Sequence, residues 1–166
     1  MSRAPRLGLL LAATLFIADQ LVKWLVTGPL QIDSLGDART ILPIFDLRFV
    51  ANYGISLGLL PAASDTMRWA LVALTLAISI GVVVWMFREP NRGDQAALGM
   101  VLGGALGNIV DRVRFGYVVD FADLHFGEWR PFLVFNVADA AITIGVVILL
   151  ARALFVRDEP KEKVNA

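Results

Sequence analysis

Two aspartates stand out in this sequence because each follows or interrupts an apolar stretch. Asp139 is the only charged residue in the segment 132–151, which is long and apolar enough to cross a bilayer. An ionised Asp at membrane depth costs roughly 2.5–3.5 kcal/mol on insertion scales and normally faces a bundle interior or a water-filled cavity. Asp120 directly follows the apolar run 117–119. Two carboxylates that approach one membrane surface from two segments predict acid–base chemistry on water.

The composition narrows the classes of protein and site. The chain has 166 residues, of which 57% are hydrophobic, and its mean hydropathy is +0.68. Soluble domains are usually about 45–50% apolar, so a membrane protein with a single domain, 1–166, is predicted. The formal net charge is zero, which does not favour a nucleic-acid partner. The absence of Cys and the single His125 exclude thiol nucleophiles and multi-His zinc sites. Chemistry by two carboxylates needs no metal or other cofactor, and none is expected.

The apolar runs predict four transmembrane helices, at about 7–26, 67–87, 95–112 and 132–151. In the third run, Gly99, Gly103 and Gly107 recur every four residues, which predicts a close approach to a neighbouring helix. Gly104 lies off this stripe, where the lack of a side chain would also leave room for a substrate.

Lys and Arg residues near the ends of the spans predict the orientation in the membrane. Most of them flank one side of the predicted bundle: Arg3, Arg6, Arg88, Arg92, Arg152, Arg157, Lys161 and Lys163. We therefore expect both termini to be cytoplasmic, with 157–166 as a solvated tail. The connections 27–66 and 113–131 would then face the periplasm. The first apolar run resembles a secretory signal peptide, but Asp19 and Lys23 stand where cleavage would occur, which favours a retained helix.

The long connections have a β pattern of their own. In 45–49, Phe and Leu alternate with Asp and Arg, which predicts a strand, and 39–42 and 54–60 are candidates to pair with it. Such a sheet cannot span the membrane, but it can lie on the surface and hold an extended ligand by strand addition. The predicted fold class is a mainly α membrane protein with four transmembrane helices, a small extracytoplasmic β-sheet and a periplasmic loop or short helix. Asp123 and Glu128 are expected to be solvated loop acids.

Further polar side chains gather near the same predicted outer face. Asn108 and Asp111 are three residues apart, as are Asn136 and Asp139, so each pair shares one face of a helix. Buried polar groups need partners, and this grouping therefore predicts a buried aqueous site. The full set beside Asp120 and Asp139 is Asp19, Asn52, Asn108, Asp111, Arg112 and Asn136.

Two close carboxylates predict a division of roles. Like charges a few Å apart cannot easily both ionise, so the pKa of one is raised and the pair shares a proton near neutral pH. The ionised acid would take a proton from water, and the protonated acid would donate to the carbonyl oxygen of a scissile peptide. Asn108 and Asn136 would orient the acids or stabilise the oxyanion. Asp19 and the pair Asp111–Arg112 are expected to support the structure, and Asn52 to form a turn or contact the substrate backbone.

Five motifs in order resemble bacterial lipoprotein signal peptidase, also called signal peptidase II. They are DQLVK at 19–23, NYG at 52–54, GGALGNIVDR at 103–112, GYVVDF at 116–121 and FNVAD at 135–139. Each motif alone is weak, but together they run from the first predicted helix to the fourth. One departure is the segment 55–58, where the family often has Ala-Ala-Phe.

The resemblance implies an aspartic intramembrane endopeptidase of the bacterial inner membrane. The family cleaves the signal peptide from diacylglyceryl-modified prolipoproteins on the N-terminal side of the lipidated Cys, and globomycin-type cyclic peptides inhibit it. The catalytic pair would be Asp120 and Asp139. The supporting or substrate-binding residues would be Asp19, Asn52, Asn108, Asp111, Arg112 and Asn136. Gly104 is added to them because of the room that it would leave for a substrate. Membrane lipid is an implied partner, and a monomer is expected because one four-helix bundle could act alone.

One alternative comes from a different functional class. A small four-helix transporter could use Asp120 and Asp139 as a proton or cation relay. That function favours ionisable groups spread through the membrane and an inverted repeat. In this sequence the polar groups gather near one face, and no internal repeat is visible.

Overall fold

The computed structural model describes residues 5–54 and 64–155. Within these ranges the helices are α1 (Arg6–Thr27), α2 (Asp65–Arg88), α3 (Arg92–Phe115) and α4 (Val137–Phe155). The strands are β1 (Ala38–Leu42), β2 (Phe45–Asn52) and β3 (Val118–Leu124). The predicted strand at 54–60, apart from Gly54, and the predicted tail at 157–166 lie outside the described residues.

All four helices are long and apolar enough to cross a membrane, which makes the chain a multi-pass membrane protein. In α3, 56% of the 18-residue stretch that could cross the membrane is buried inside the protein, compared with 17–22% in the other three helices. The outer helices instead expose large apolar side chains, among them Leu10, Leu74 and Leu154. This distribution places α3 at the centre of the bundle. The exposed apolar faces of the other helices are suited to contact with lipid.

The glycine stripe of α3 faces α1. A Cβ added to Gly103 would lie 2.6 Å from the carbonyl oxygen of Ala12, and one added to Gly107 would lie 2.5 Å from a carboxylate oxygen of Asp19. Gly99 meets the backbone of α1 in the same way. The predicted close helix approach is therefore confirmed, and it brings a carboxylate of α1 against the middle of α3.

The last helix begins five residues later than predicted, at Val137. The carbonyl oxygen of Phe135 accepts hydrogen bonds from the N–H groups of Phe121 and Ala122 at 3.0 and 2.8 Å, so this residue pairs with β3. Asn136 then caps α4, because its Oδ1 accepts the backbone N–H of Asp139 at 2.8 Å. The prediction that the helix begins at 132 is wrong, because Phe135 pairs with β3 and Asn136 caps the helix.

The three strands form one antiparallel sheet in the order β1-β2-β3. Val50 of β2 lies opposite Asp120, and Asn52 lies opposite Val118. The predicted strand 45–49 and its pairing with 39–42 are confirmed, whereas the described parts of the connections contain no short helix. Apolar side chains pack this sheet against the end of α1: Val26, Ile32, Phe49, Val119, Phe121 and Ala122.

Candidate active site

Asp120 lies in the middle of β3 and is only 1% exposed. Its Oδ2 accepts a hydrogen bond from Asn52 Nδ2 at 2.9 Å, and its Oδ1 accepts one from Asn136 Nδ2 at 2.6 Å. Strand pairing places Asn52 beside it, and the N-terminus of α4 supplies Asn136. A buried carboxylate needs such partners, and both its oxygens are satisfied.

Asp139 lies in the first turn of α4 and is half-buried. Its Oδ1 accepts a hydrogen bond from Asn108 Nδ2 at 2.9 Å. Asn136 Nδ2 lies 3.4 Å from Asn108 Oδ1, so the two amides connect the carboxylate of Asp139 to that of Asp120. The first turn of a helix favours an anionic side chain, because backbone N–H dipoles point towards it.

The environment of Asp120 favours its protonated form. Burial raises the pKa of Asp120 to about 7, and the nearby negative charge of Asp139 contributes in the same direction. The hydrogen bonds from Asn52 and Asn136 and the positive charge of Lys23 act in the opposite direction on this pKa. Asp120 can therefore hold or release a proton near neutral pH, as the sequence predicted for one member of the pair.

A buried ion cluster lies behind the two aspartates. Lys23 Nζ is 2.8 Å from Asp19 Oδ2 and 2.7 Å from Asp111 Oδ2. Gln20 Nε2 donates to Asp111 Oδ1 at 2.9 Å and lies 3.2 Å from Asp19 Oδ2. Neither Lys23 nor Gln20 was among the site residues predicted from the sequence. The four-residue spacing of Asp19 and Lys23 was the available signal, since it places an ammonium beside a carboxylate on one helix face.

Arg112 lies at the end of α3, and its charge interacts with those of Asp111, Asp120 and Asp139. Its Nε is buried and has no hydrogen-bond partner among the described residues. Its backbone carbonyl accepts a hydrogen bond from Arg68 Nε at 2.7 Å. Arg112 therefore adds positive charge to the site from the side of α3.

Gly104 faces α4, where an added Cβ would meet the backbone of Ala138 and the side chain of Ile142. The space in front of Gly104 is thus filled by α4. The expected substrate space is not present at this position, and we assign Gly104 to helix packing.

Asp123 differs from the prediction of a solvated loop acid, because it is 1% exposed and lies within β3. Its carboxylate forms ion pairs with Arg48 Nε at 2.9 Å and Arg130 Nε at 3.2 Å. That prediction is wrong, since β3 extends to Leu124 and its residue Asp123 pairs with two guanidinium groups.

No group of three or more His, Asp or Glu side chains within residues 5–54 and 64–155 could hold a metal ion.

Comparisons with known proteins identify the family. The family described as signal peptidase (SPase) II matches residues 11–155. The chain belongs to the signal peptidase II family. A lipoprotein signal peptidase of Rhizorhabdus wittichii is 56% identical over 162 residues, which cover 96% of this chain and 94% of that protein. One of Sphingopyxis alaskensis is 53% identical over 160 residues, 95% of this chain and 92% of that protein.

The fold also matches that of a solved structure. A bacterial membrane enzyme structure at 1.9 Å resolution is similar to this signal peptidase II family member with a TM-score of 0.76 and 30% identity, covering 90% of this chain and 94% of that chain. The resemblance found in the motifs is confirmed, as are the fold class and the assignment to the aspartic peptidases. The transporter alternative is not supported by this family membership.

Proposed function

We propose that this signal peptidase II hydrolyses prolipoproteins with Asp120 and Asp139 as its catalytic pair. The observation that carries the proposal is the pairing of a buried strand acid with a helix-terminal acid through two amides. Asn136 donates to Asp120, and Asn108 donates to Asp139. These bonds favour the first of the two roles predicted for the amides, which is to orient the acids.

The different surroundings of the two acids support different roles for them. With its pKa raised to about 7 by burial, Asp120 is protonated in about half of the molecules at neutral pH and is the proposed proton donor. Asp139, in the first turn of α4, is the proposed base. Asp139 takes a proton from water, whose oxygen attacks the scissile carbonyl carbon while Asp120 protonates the carbonyl oxygen. Collapse of this tetrahedral intermediate breaks the C–N bond as the proton held by Asp139 passes to the leaving amine. A hydroxyl proton of the intermediate returns to Asp120, so the product is a carboxylic acid and both aspartates regain their starting states.

The proposed substrate is a diacylglyceryl-modified prolipoprotein, cleaved on the N-terminal side of the lipidated Cys. The curated relatives are named lipoprotein signal peptidases, which supports prolipoprotein substrates. The acyl chains would remain in lipid while the peptide enters from the side of the sheet. A peptide of the same cleavage sequence without lipid should therefore be a poor substrate. Globomycin-type cyclic peptides should compete for this site, and a monomer should suffice.

The proposed location is the bacterial inner membrane, with both termini in the cytoplasm and the active site facing the periplasm. Arg6, Arg88, Arg92 and Arg152 lie at the ends of the helices remote from the sheet. Basic residues at one end of a bundle favour the cytoplasmic side for that end. The candidate site lies at the opposite end, beside the sheet.

The direct test uses purified Asp120→Asn and Asp139→Asn in lipid vesicles with a diacylglyceryl-modified prolipoprotein. Each variant keeps the shape of the side chain but cannot exchange a proton, so we expect cleavage to fall by at least about 10³-fold. Asp94→Asn is the matched control, because it breaks an ion pair between α3 and α4 at the other end of the bundle. Cleavage close to wild type by either active-site variant would refute the proposed pair.

A further inference from the structure

Each candidate catalytic aspartate follows a residue whose backbone N–H is bound by a buried carboxylate. The N–H of Ala138, just before Asp139, donates to Asp19 Oδ1 at 3.0 Å. The N–H of Val119, just before Asp120, donates to Asp111 Oδ2 at 3.1 Å. Two separate carboxylates thus hold the two backbone segments on which the proposed chemistry depends.

A single ammonium group joins these two carboxylates. Lys23 Nζ lies within 2.8 Å of both Asp19 and Asp111, and its side chain is only 6% exposed. The side chains of Asp19 and Asp111 are 0% and 1% exposed. Two buried carboxylates this close would repel each other strongly without a cation between them. Gln20 also bridges them, but its neutral amide cannot offset the negative charge.

We propose that Lys23 is a positioning residue that fixes the start of β3 relative to the start of α4, so that Asp120 and Asp139 meet at the scissile bond. This inference rests on the proposed function. Lys23 lies on α1, which carries neither catalytic aspartate. It acts on both segments through Asp19 and Asp111. The ammonium draws in Asp19 and Asp111, and these carboxylates fix the backbone on the N-terminal side of each catalytic acid.

Lys23 also acts on Asp120 through its positive charge, whereas a residue that only held the backbone in place would not affect the pKa of Asp120. Each element around Asp120 presents a polar or charged group to it: Asp139 and Asn136 from the start of α4, Arg112 from α3, Lys23 from α1 and Asn52 from β2. The positive charge of Lys23 opposes the rise in the pKa of Asp120. Removing this charge should therefore raise that pKa further.

The experiment compares Lys23→Met with wild type in the purified full-length chain. Met keeps an apolar stem of similar length but carries no charge. We expect kcat to fall about 100-fold with KM within about threefold, because misplacing the acids by about 1 Å can cost that much. The ¹³C-carboxyl resonance of Asp120 should titrate at a higher pH than in wild type. Lys23→Arg, which keeps the charge, should restore the titration midpoint towards wild type.

A second variant decides the matter if Lys23→Met does not fold. Asp19→Asn is isosteric, keeps an oxygen to accept the N–H of Ala138 and leaves Lys23 paired with Asp111. It replaces the oxygen that Lys23 and Gln20 contact on the α4 side by an amide nitrogen, so kcat should again fall while KM stays near wild type. Asp94→Asn, remote from the cluster, serves as the control that keeps wild-type kcat.

Wild-type kcat in Asp19→Asn, or an unshifted Asp120 titration together with wild-type kcat in folded Lys23→Met, would overturn the inference. The two proposals fail separately. If Asp120→Asn cleaves normally, the catalytic pair is wrong. The carboxyl titration reports the influence of Lys23 on Asp120 without depending on turnover.

Discussion

The stability of the folded protein should fall as the pH rises through neutrality, because of Asp120. Burial raises the pKa of this carboxyl from an ordinary 3.8 to about 7 in the folded protein. Between these two values the folded state binds more protons at Asp120 than the unfolded state does. Stability rises with pH only where the unfolded state binds more protons, so here its slope is negative.

The size of the effect follows from the pKa difference. At about 1.4 kcal/mol per pKa unit, a change from 3.8 to about 7 corresponds to about 4 kcal/mol. This contribution is fully present below about pH 4 and is lost by about pH 8, with roughly 1.4 kcal/mol of the loss falling between pH 6 and 8. The full contribution of about 4 kcal/mol is a large fraction of the roughly 5–15 kcal/mol by which domains are typically stable.

The assay is reversible unfolding in mixed micelles at a series of pH values, for wild type and Asp120→Asn. The variant has no carboxyl to ionise, so its free energy of unfolding should lack this negative slope. Its absolute stability is a less direct measure, because the new amide can accept from only one of Asn52 and Asn136 with its single oxygen. The comparison of slopes removes this pH-independent cost.

Two further variants test the causes of the shift separately. Asn52→Ala removes a hydrogen bond that lowers the pKa of Asp120, so the loss of stability should extend to higher pH. Asp139→Asn removes the repelling charge and should lower the pKa of Asp120, although burial, the larger cause, remains. Parallel curves for wild type and Asp120→Asn between pH 5 and 8 would refute the reasoning.

The remaining predictions concern packing and the sheet. Gly103→Leu should prevent α1 from docking on α3 and abolish the folded fraction in a limited-proteolysis assay, whereas Gly81→Leu, with open space beside it, should fold normally. Asp123→Ala should lower the free energy of unfolding by about 1–3 kcal/mol, because its two arginine partners are half-exposed and can be solvated. Asp65→Ala, whose side chain is 86% exposed, is the matched control and should change stability by less than about 0.5 kcal/mol.

The helices and the central strand could be predicted because their signals are local. A membrane-spanning helix needs a run of apolar residues, and a strand with one buried face alternates with a period of two. The glycine stripe of α3 likewise reports its own contact surface, since small residues at four-residue spacing suit close helix packing. The motifs around Asp120 and Asp139 then identified the family.

The features that were missed depend on partners distant in the sequence. Phe135 is apolar enough to continue a span, but β3 offers its backbone a strand partner, and only the fold shows this. Asp123 was predicted to be a solvated loop acid, whereas Arg48 pairs with it from 75 residues away on β2. In the same way, Lys23 on α1 pairs with Asp111 on α3, which is distant from it in the sequence.

The architecture makes two identical side chains unequal. Asp120 lies on a strand packed over an apolar cluster, so burial favours its neutral form. Asp139 lies in the first turn of a helix and is only half-buried. The proposed division into an acid and a base therefore follows the change of the chain from strand to helix, and the hydrogen bonds of Asn136 join the two environments. If this account is right, moving either carboxylate by one residue along its element should abolish cleavage while leaving both acids present.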